Sequence, residues 1–277
     1  MRIVWFNGRS LKNFMLPQHF ILKLILTPLI VAFATQAARR WGDSIGGWVI
    51  GLPLTSGPVS VFFALEQGKD FAAHAAQGAI LGVVAVSVFC TAFFLGARGH
   101  RWWQGALIAV ACYLPAVWLI SQLQLPLGWT EVLTLVALCA ALLLMGKPGI
   151  VEGAVIQPAW DLPLRILTAT VILVAITALA GTLGPLWSGL LSPFPIFTFV
   201  LAIFANAQSG AASAQRVVRG VTTGLFGYTA FFLVVGLLVT RLNLVAVYSL
   251  AILVALSVNA SSLVIMLLRR RSTRAFK

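Results

Sequence analysis

The chain carries one pattern of backbone punctuation twice. Residues from about Leu22 to Leu95 match those from about Leu164 to Leu237 without a gap, at a constant offset of 142. Five of the eight glycines in the first stretch fall on glycines in the second: Gly42 on Gly184, Gly47 on Gly189, Gly68 on Gly210, Gly78 on Gly220 and Gly82 on Gly224. Chance would place roughly one. Pro53 falls on Pro195, Phe62 on Phe204, Phe89 on Phe231, and Lys23 lies opposite Arg165. Most other positions differ, so what is duplicated is chiefly where the backbone turns or lies bare.

The solvent for this duplication is lipid. Of the 277 residues, 60% are hydrophobic and 9% charged, and the mean hydropathy is +1.00. A soluble domain carries about 25% charged residues. The net charge of +13 does not point to nucleic acid. The basic residues sit singly or in pairs between apolar runs, with one cluster (Arg269, Arg270, Arg271, Arg274 and Lys277) after the last run. That is the pattern that orients membrane proteins, and it leaves membrane lipids as the expected surroundings. Cys90, Cys112 and Cys139 lie inside apolar runs without CxxC spacing and read as small buried hydrophobes. The first twenty residues hold Arg2, Arg9 and Lys12 but no apolar run before Pro17. The first span itself is therefore expected to direct insertion.

A spanning helix needs about 20 apolar residues. Nine such runs are present, over 20–38, 44–66, 76–97, 104–122, 129–146, 163–182, 184–207, 217–239 and 243–268. Trp41, Trp102, Trp103, Trp129, Trp160 and Trp187 mark run ends, as amphipathic rings do at a membrane surface. The expected architecture is an all-α polytopic transmembrane bundle. It divides into an N-terminal tail (1–19), a first four-helix repeat (20–125), a linker helix and loop (126–160), a second four-helix repeat (161–268) and a basic tail (269–277). The offset spans five crossings. An odd number turns the second half over, giving an inverted repeat. One side then collects Arg39, Arg40, Arg98, Arg101, Lys147, Arg165, Arg216, Arg219 and the five tail charges, thirteen in all; the other collects Arg2, Arg9, Lys12, Lys23, Lys69 and Arg241. The positive-inside rule predicts a cytoplasmic C-terminus in a multi-pass inner-membrane protein, with the basic N-terminus on the disfavoured side.

Chemistry is expected where each half breaks its second run. The first break is Gly46-Gly47-Trp48-Val49-Ile50-Gly51-Leu52-Pro53-Leu54-Thr55-Ser56-Gly57-Pro58, and the second is Gly189-Leu190-Leu191-Ser192-Pro193-Phe194-Pro195-Ile196-Phe197-Thr198. A proline inside a helix removes a hydrogen bond and clashes with the preceding turn. In lipid the freed carbonyls need other partners, so such breaks face protein or a watery cavity. Matching breaks in opposed halves are the sequence mark of a midplane binding site. Pro53, Thr55, Ser56 and Gly57 would line it from one half, and Ser192, Pro193, Pro195 and Thr198 from the other. The competing interpretation is two kinked helices whose hydroxyls bond back to their own backbone. Glu66, aligned with Gln208, closes the second run, and Asn206 and Gln208 close the seventh; these three complete the candidate set. Glu66, beside Lys69 and Asp70, suits an interfacial position better than a proton relay, and His74 reads as a helix-entry residue.

Gly78-Ala-Ile-Leu-Gly82 and Gly220-Val-Thr-Thr-Gly224 are GxxxG motifs at equivalent places, which predict close helix crossings rather than chemistry. No HExxH, Ser/His/Asp set or phosphate-binding glycine loop occurs, and all six carboxylates lie at run ends or in connections. No enzyme activity, cofactor or metal set is therefore expected.

The segment Gly189-Leu190-Leu191-Ser192-Pro193-Phe194-Pro195-Ile196-Phe197, a short polar loop, and then Arg219-Gly220 with Gly224 resemble the small four-helix bacterial inner-membrane proteins named GlpM, over about 184–240. The first half, with Leu54-Thr55-Ser56-Gly57-Pro58, departs further from that pattern. The resemblance implies a bacterial inner membrane and a duplicated half-unit, and carries no activity or substrate. The sequence thus leads to secondary transport of a small-molecule solute between the second and seventh helices. A non-transporting accessory or scaffold protein of an envelope complex is the alternative. Assembly as a homo-oligomer is left open.

Overall fold

The computed structural model describes residues 18–98, 103–149, 158, 160–183 and 194–275. These form ten helices and, among the described residues, no strand. In chain order they are α1 (Gln18–Trp41), α2 (Asp43–Ile50), α3 (Ser56–Glu66), α4 (Lys69–Gly96), α5 (Gln104–Ser121), α6 (Leu127–Met145), α7 (Asp161–Leu183), α8 (Ile196–Ser209), α9 (Ala211–Leu238) and α10 (Leu244–Ala275). Five are long and apolar enough to cross a membrane: α4, α5, α6, α9 and the Leu244–Val264 part of α10. Their outward faces are apolar, with Leu143 81% and Val245 79% exposed. A water-facing surface would not be built so, and a lipid-facing one requires it.

The 142-residue offset carries one set of helix bounds onto the other. Lys69–Gly96 maps to 211–238, the bounds of α9. Gln18–Trp41 maps to 160–183, one residue longer than α7. Ser56–Glu66 maps to 198–208, inside α8. α6 has no partner in this scheme. The equivalent helices also run antiparallel to each other. The start of α9 meets the end of α4, where the Gln215 side-chain amide donates to Phe94 O. The end of α9 meets the start of α4, with Gly236 against Ala76. α1 and α7 are antiparallel as well, since Arg39 near the end of one meets Asp161 at the start of the other.

Two kinds of glycine explain the matched glycines. Gly68 (φ 92°, ψ 167°) and Gly210 (φ 80°, ψ 178°) begin α4 and α9 in a backbone region open only to glycine, so each can follow a preceding helix directly. Gly47, Gly220 and Gly224 instead permit backbone contact between α2 and α9. A β-carbon at Gly220 would lie 2.1 Å from Ser44 O, one at Gly224 2.4 Å from Trp48 O, and one at Gly47 2.0 Å from Val217 O. The crossing expected of the second GxxxG motif is therefore present. At Gly78, on exposed backbone, a β-carbon would meet nothing within 4 Å among the described residues. The 142 offset places 185–192, outside the described residues, where α2 would have its counterpart.

The core lies between α4 and α9, filled by Phe89, Phe93, Phe94, Tyr113, Leu138 and small residues of α9. A second cluster at the far end joins α4, α9 and α10. Trp41, Trp103, Trp129 and Trp160 are exposed near helix ends, as expected of interfacial rings. Only Cys90 is a buried thiol; Cys112 and Cys139 sit on outward faces of α5 and α6, because those helices bury a narrow stripe. α10 continues through Arg269–Arg271, so the basic tail extends a helix rather than following one.

Candidate functional site

The second apolar run is two helices, not one. α2 stops at Ile50 and α3 starts at Ser56. Between them Pro53 sits at the centre of a tight reverse turn, where Leu54 N–H donates to Leu52 O at 2.8 Å. Gly57 N–H then donates to Pro53 O at 2.9 Å and starts α3. Pro58 occupies the first turn of α3, where a missing N–H costs nothing. The same hydrogen bonds recur 142 residues on. Ile196 N–H donates to Phe194 O at 2.9 Å, and Phe199 N–H to Pro195 O at 2.9 Å. Pro195 has φ −80° and ψ 66°, the inverse γ conformation. The proline ring fixes φ near the value this turn needs, so one residue type sets the same break twice.

The side chains around the two turns differ. At the first, Gly57 lies against Phe231, 3.5 Å from where a β-carbon would project. The Ser56 hydroxyl lies beside the Tyr228 phenol. At the second, Phe194 and Phe199 stack with Phe89 and Tyr113, with ring centroids 5.5–6.3 Å apart. Phe89 and Phe231 are themselves equivalents, so each break packs on the same position of the opposite half. Pro53, Thr55, Ser56 and Pro195 are half-buried, while Gly57, Thr198 and Asn206 are buried. Ser192 and Pro193 lie outside the described residues. Leu54 and Phe194 border one core cluster, which brings the neighbourhoods of the two turns together on α4 and α9.

Glu66 and Gln208 do not share that neighbourhood. Glu66 is exposed at the end of α3, next to Lys69, whose amine donates to Leu242 O at 2.7 Å. Gln208 is at the other end of the bundle, about 40 Å away along the 28 residues of α9. There it joins a group that the sequence reading dispersed among loop charges. Asp161, fully buried, accepts from Arg39 Nη2 at 2.9 Å, Arg165 Nε at 2.7 Å and Gln208 Nε2 at 2.6 Å. Arg165 is 3% exposed, donates to Gln208 Oε1 at 3.3 Å and lies over the Phe204 ring at 5.1 Å. Burial is the largest influence on the Asp161 carboxyl and raises its pKa. The hydrogen bonds from Arg165 and Gln208, the Arg165 charge and the bond from Arg39 outweigh it and hold the pKa below the usual carboxylate range. The i,i+4 spacing of Asp161 and Arg165 was the available sequence signal.

The same end holds the Ser213–Asp43 bond at 2.6 Å, Arg216 on Gly149 O at 3.2 Å and Arg219 on Leu142 O at 3.1 Å and on Gly146 O. Arg98, over Phe94, is there too. The other end carries Lys69 and the α9–α10 connection with Arg241. Two carboxylates assigned to run ends are buried: Asp161, by its ion pairs, and Glu131, one turn inside α6, by packing against α9. Asn259, buried against Gly227, has no partner for either amide atom among the described residues. Comparison with known proteins finds no matching family model, curated protein or solved structure.

Proposed function

We propose that this chain is a secondary transporter of nine crossings, two inverted repeats joined by α6, which moves a small solute past its paired proline turns. The recurrence of the same turn, bond for bond, in two antiparallel halves carries this reading. Counting α2 with α3 and residues 184–209 as one passage each gives nine crossings, and the helix ends so sorted put α10's basic end with Arg39, Arg98 and Arg219. That supports a cytoplasmic C-terminus. The likeness to GlpM proteins adds a bacterial inner membrane. Two like halves of opposite orientation can exchange conformations of nearly equal energy, open to opposite sides. The hydroxyls of Thr55 and Ser56 and the carbonyls loosened at each turn suit a small polar solute.

Single cysteines at 55 and 198, in a background lacking Cys90, Cys112 and Cys139, test the reading with a membrane-impermeant thiol reagent in vesicles of both orientations. Reaction from one side at a time at each position is expected. Inertness of both in folded protein sinks the transport reading. The aromatic packing over Pro195 would then favour a non-transporting accessory subunit, its breaks sealed by Phe194, Phe199 and Tyr113.

A further inference from the structure

Glu131 is the fifth residue of α6, roughly 6 Å inside its start. It is 8% exposed, and Oε2 has no partner among the described residues. The Thr229 hydroxyl of α9 lies beside the carboxyl. The Thr229 hydroxyl proton is already given to Phe226 O at 2.9 Å, which leaves the oxygen to accept. A carboxylic acid can donate to it; a carboxylate is served only if the hydroxyl turns away from Phe226 O. The other groups on the buried stripe of α6 are equally committed. Thr134 donates to Ile80 O at 3.1 Å, Thr130 to Pro126 O at 3.2 Å, and Gln77 of α4 to Leu125 O.

The charged groups of the two helices packed on α6 are engaged elsewhere. On α4, Lys69 bonds Leu242 O, and His74 bonds Asp70 O on an exposed face. On α9, Arg216 and Arg219 bond backbone oxygens at the opposite end. An ionised carboxyl buried without a cation costs several kcal/mol, and ionisable groups facing a bundle interior mark proton paths.

We propose that Glu131 is a membrane-buried proton-binding site, holding its proton in this conformation, and that gain and loss of that proton couples to the opening of the paired turns. The carboxylate takes one proton from water on the side of the α5–α6 connection and returns one to water when it ionises. The coupling half rests on the transport reading; the proton site does not. The route from the site to the turns is along α9, where Tyr228, next to Thr229, lies beside Ser56 of the first turn.

Infrared spectra of the purified protein, taken from about pH 6 to about pH 9, test the site, since that range lies above the ordinary carboxylate value. A protonated-carboxyl absorption at neutral pH that is lost in Glu131→Gln is expected. No loss on that substitution overturns the proton site. Labelling of the single cysteine at 55, normalised to unfolded protein at each pH, tests the coupling. A pH-dependent rate that becomes flat in Glu131→Gln supports it. The same pH dependence in both proteins, or none in either while the thiol reacts, overturns it. A thiol inert throughout defeats the transport reading and the coupling together, and the infrared result still decides the proton site on the unmodified protein.

Discussion

The two proline turns share the two backbone hydrogen bonds that form them and almost no side chains. Where the first half has Gly57 under Phe231, the second has Phe199 under Phe89. Where the first closes with exposed Glu66, the second closes with Gln208, tied to Asp161 and Arg165. The comparison separates two demands. Lipid forbids unpaired backbone, so the turn, its proline and the glycines at Gly68 and Gly210 are held in both halves. Side chains need only fill space and satisfy their own polar atoms, so they diverge. A protein of this design gains an asymmetric interior without losing its symmetric frame.

The largest test of that separation is Asp161→Asn against Glu66→Gln. Removing the buried carboxylate leaves Arg165 without its counter-charge beside Arg39 and is expected to cost about 3–5 kcal/mol. The exposed substitution should stay within about 0.5 kcal/mol. Thermal unfolding in detergent reads both, and similar losses would mean that Glu66 has a buried partner of its own. Next is alanine at equivalent glycines. Gly220→Ala drives a β-carbon into the Ser44 carbonyl and is expected to cost about 1–3 kcal/mol. Gly78→Ala should be close to neutral or slightly stabilising. Equal losses would show 185–192 seated on Gly78 as α2 is on Gly220, which sharpens the symmetry.

Filling comes third. Phe199→Ala removes a half-buried ring from a four-ring cluster and should cost about 1–3 kcal/mol, less than full burial would give. Gly57→Ala should be tolerated within about 0.5 kcal/mol, because its β-carbon lands at ordinary contact distance from Phe231. The smallest effect is the most diagnostic. Pro53→Ala and Pro195→Ala should each cost about 0.4–1 kcal/mol, by the same amount, if the turn alone sets their role. Unequal losses in urea titration would break the equivalence.

Much of the frame was legible because glycine and proline act locally. Gly68 and Gly210 announce positive φ, Pro53 and Pro195 announce a break, and their spacing announces duplication. The apolar runs located the helices, but α4 and α9 start seven and six residues before their runs because their first turns are polar, and 44–66 hid two helices in one run, since hydropathy does not register a lost hydrogen bond. The candidate site was legible only around its turns. Glu66 and Gln208 were grouped with them by alignment, and an inverted pair of positions at helix ends must fall at opposite ends of the bundle. Asp161 and Glu131 were set aside because run ends look solvated in one dimension. Their burial depends on Arg39, Gln208 and Thr229, contributed from distant stretches of chain.

Arg39 and Asp161 are 122 residues apart. At about 5–20 residues per second, the aspartate leaves the ribosome roughly 6–24 s after its arginine. On the nine-crossing reading, α1 waits in the bilayer through that interval with α2 to α6 arriving beside it, and its guanidinium meets water and lipid phosphate at the surface. The clasp therefore closes late, after most of the first half has been inserted. It fastens the first half to the second in order of synthesis, so a chain arrested between the repeats would lack the ion pair that the finished one has.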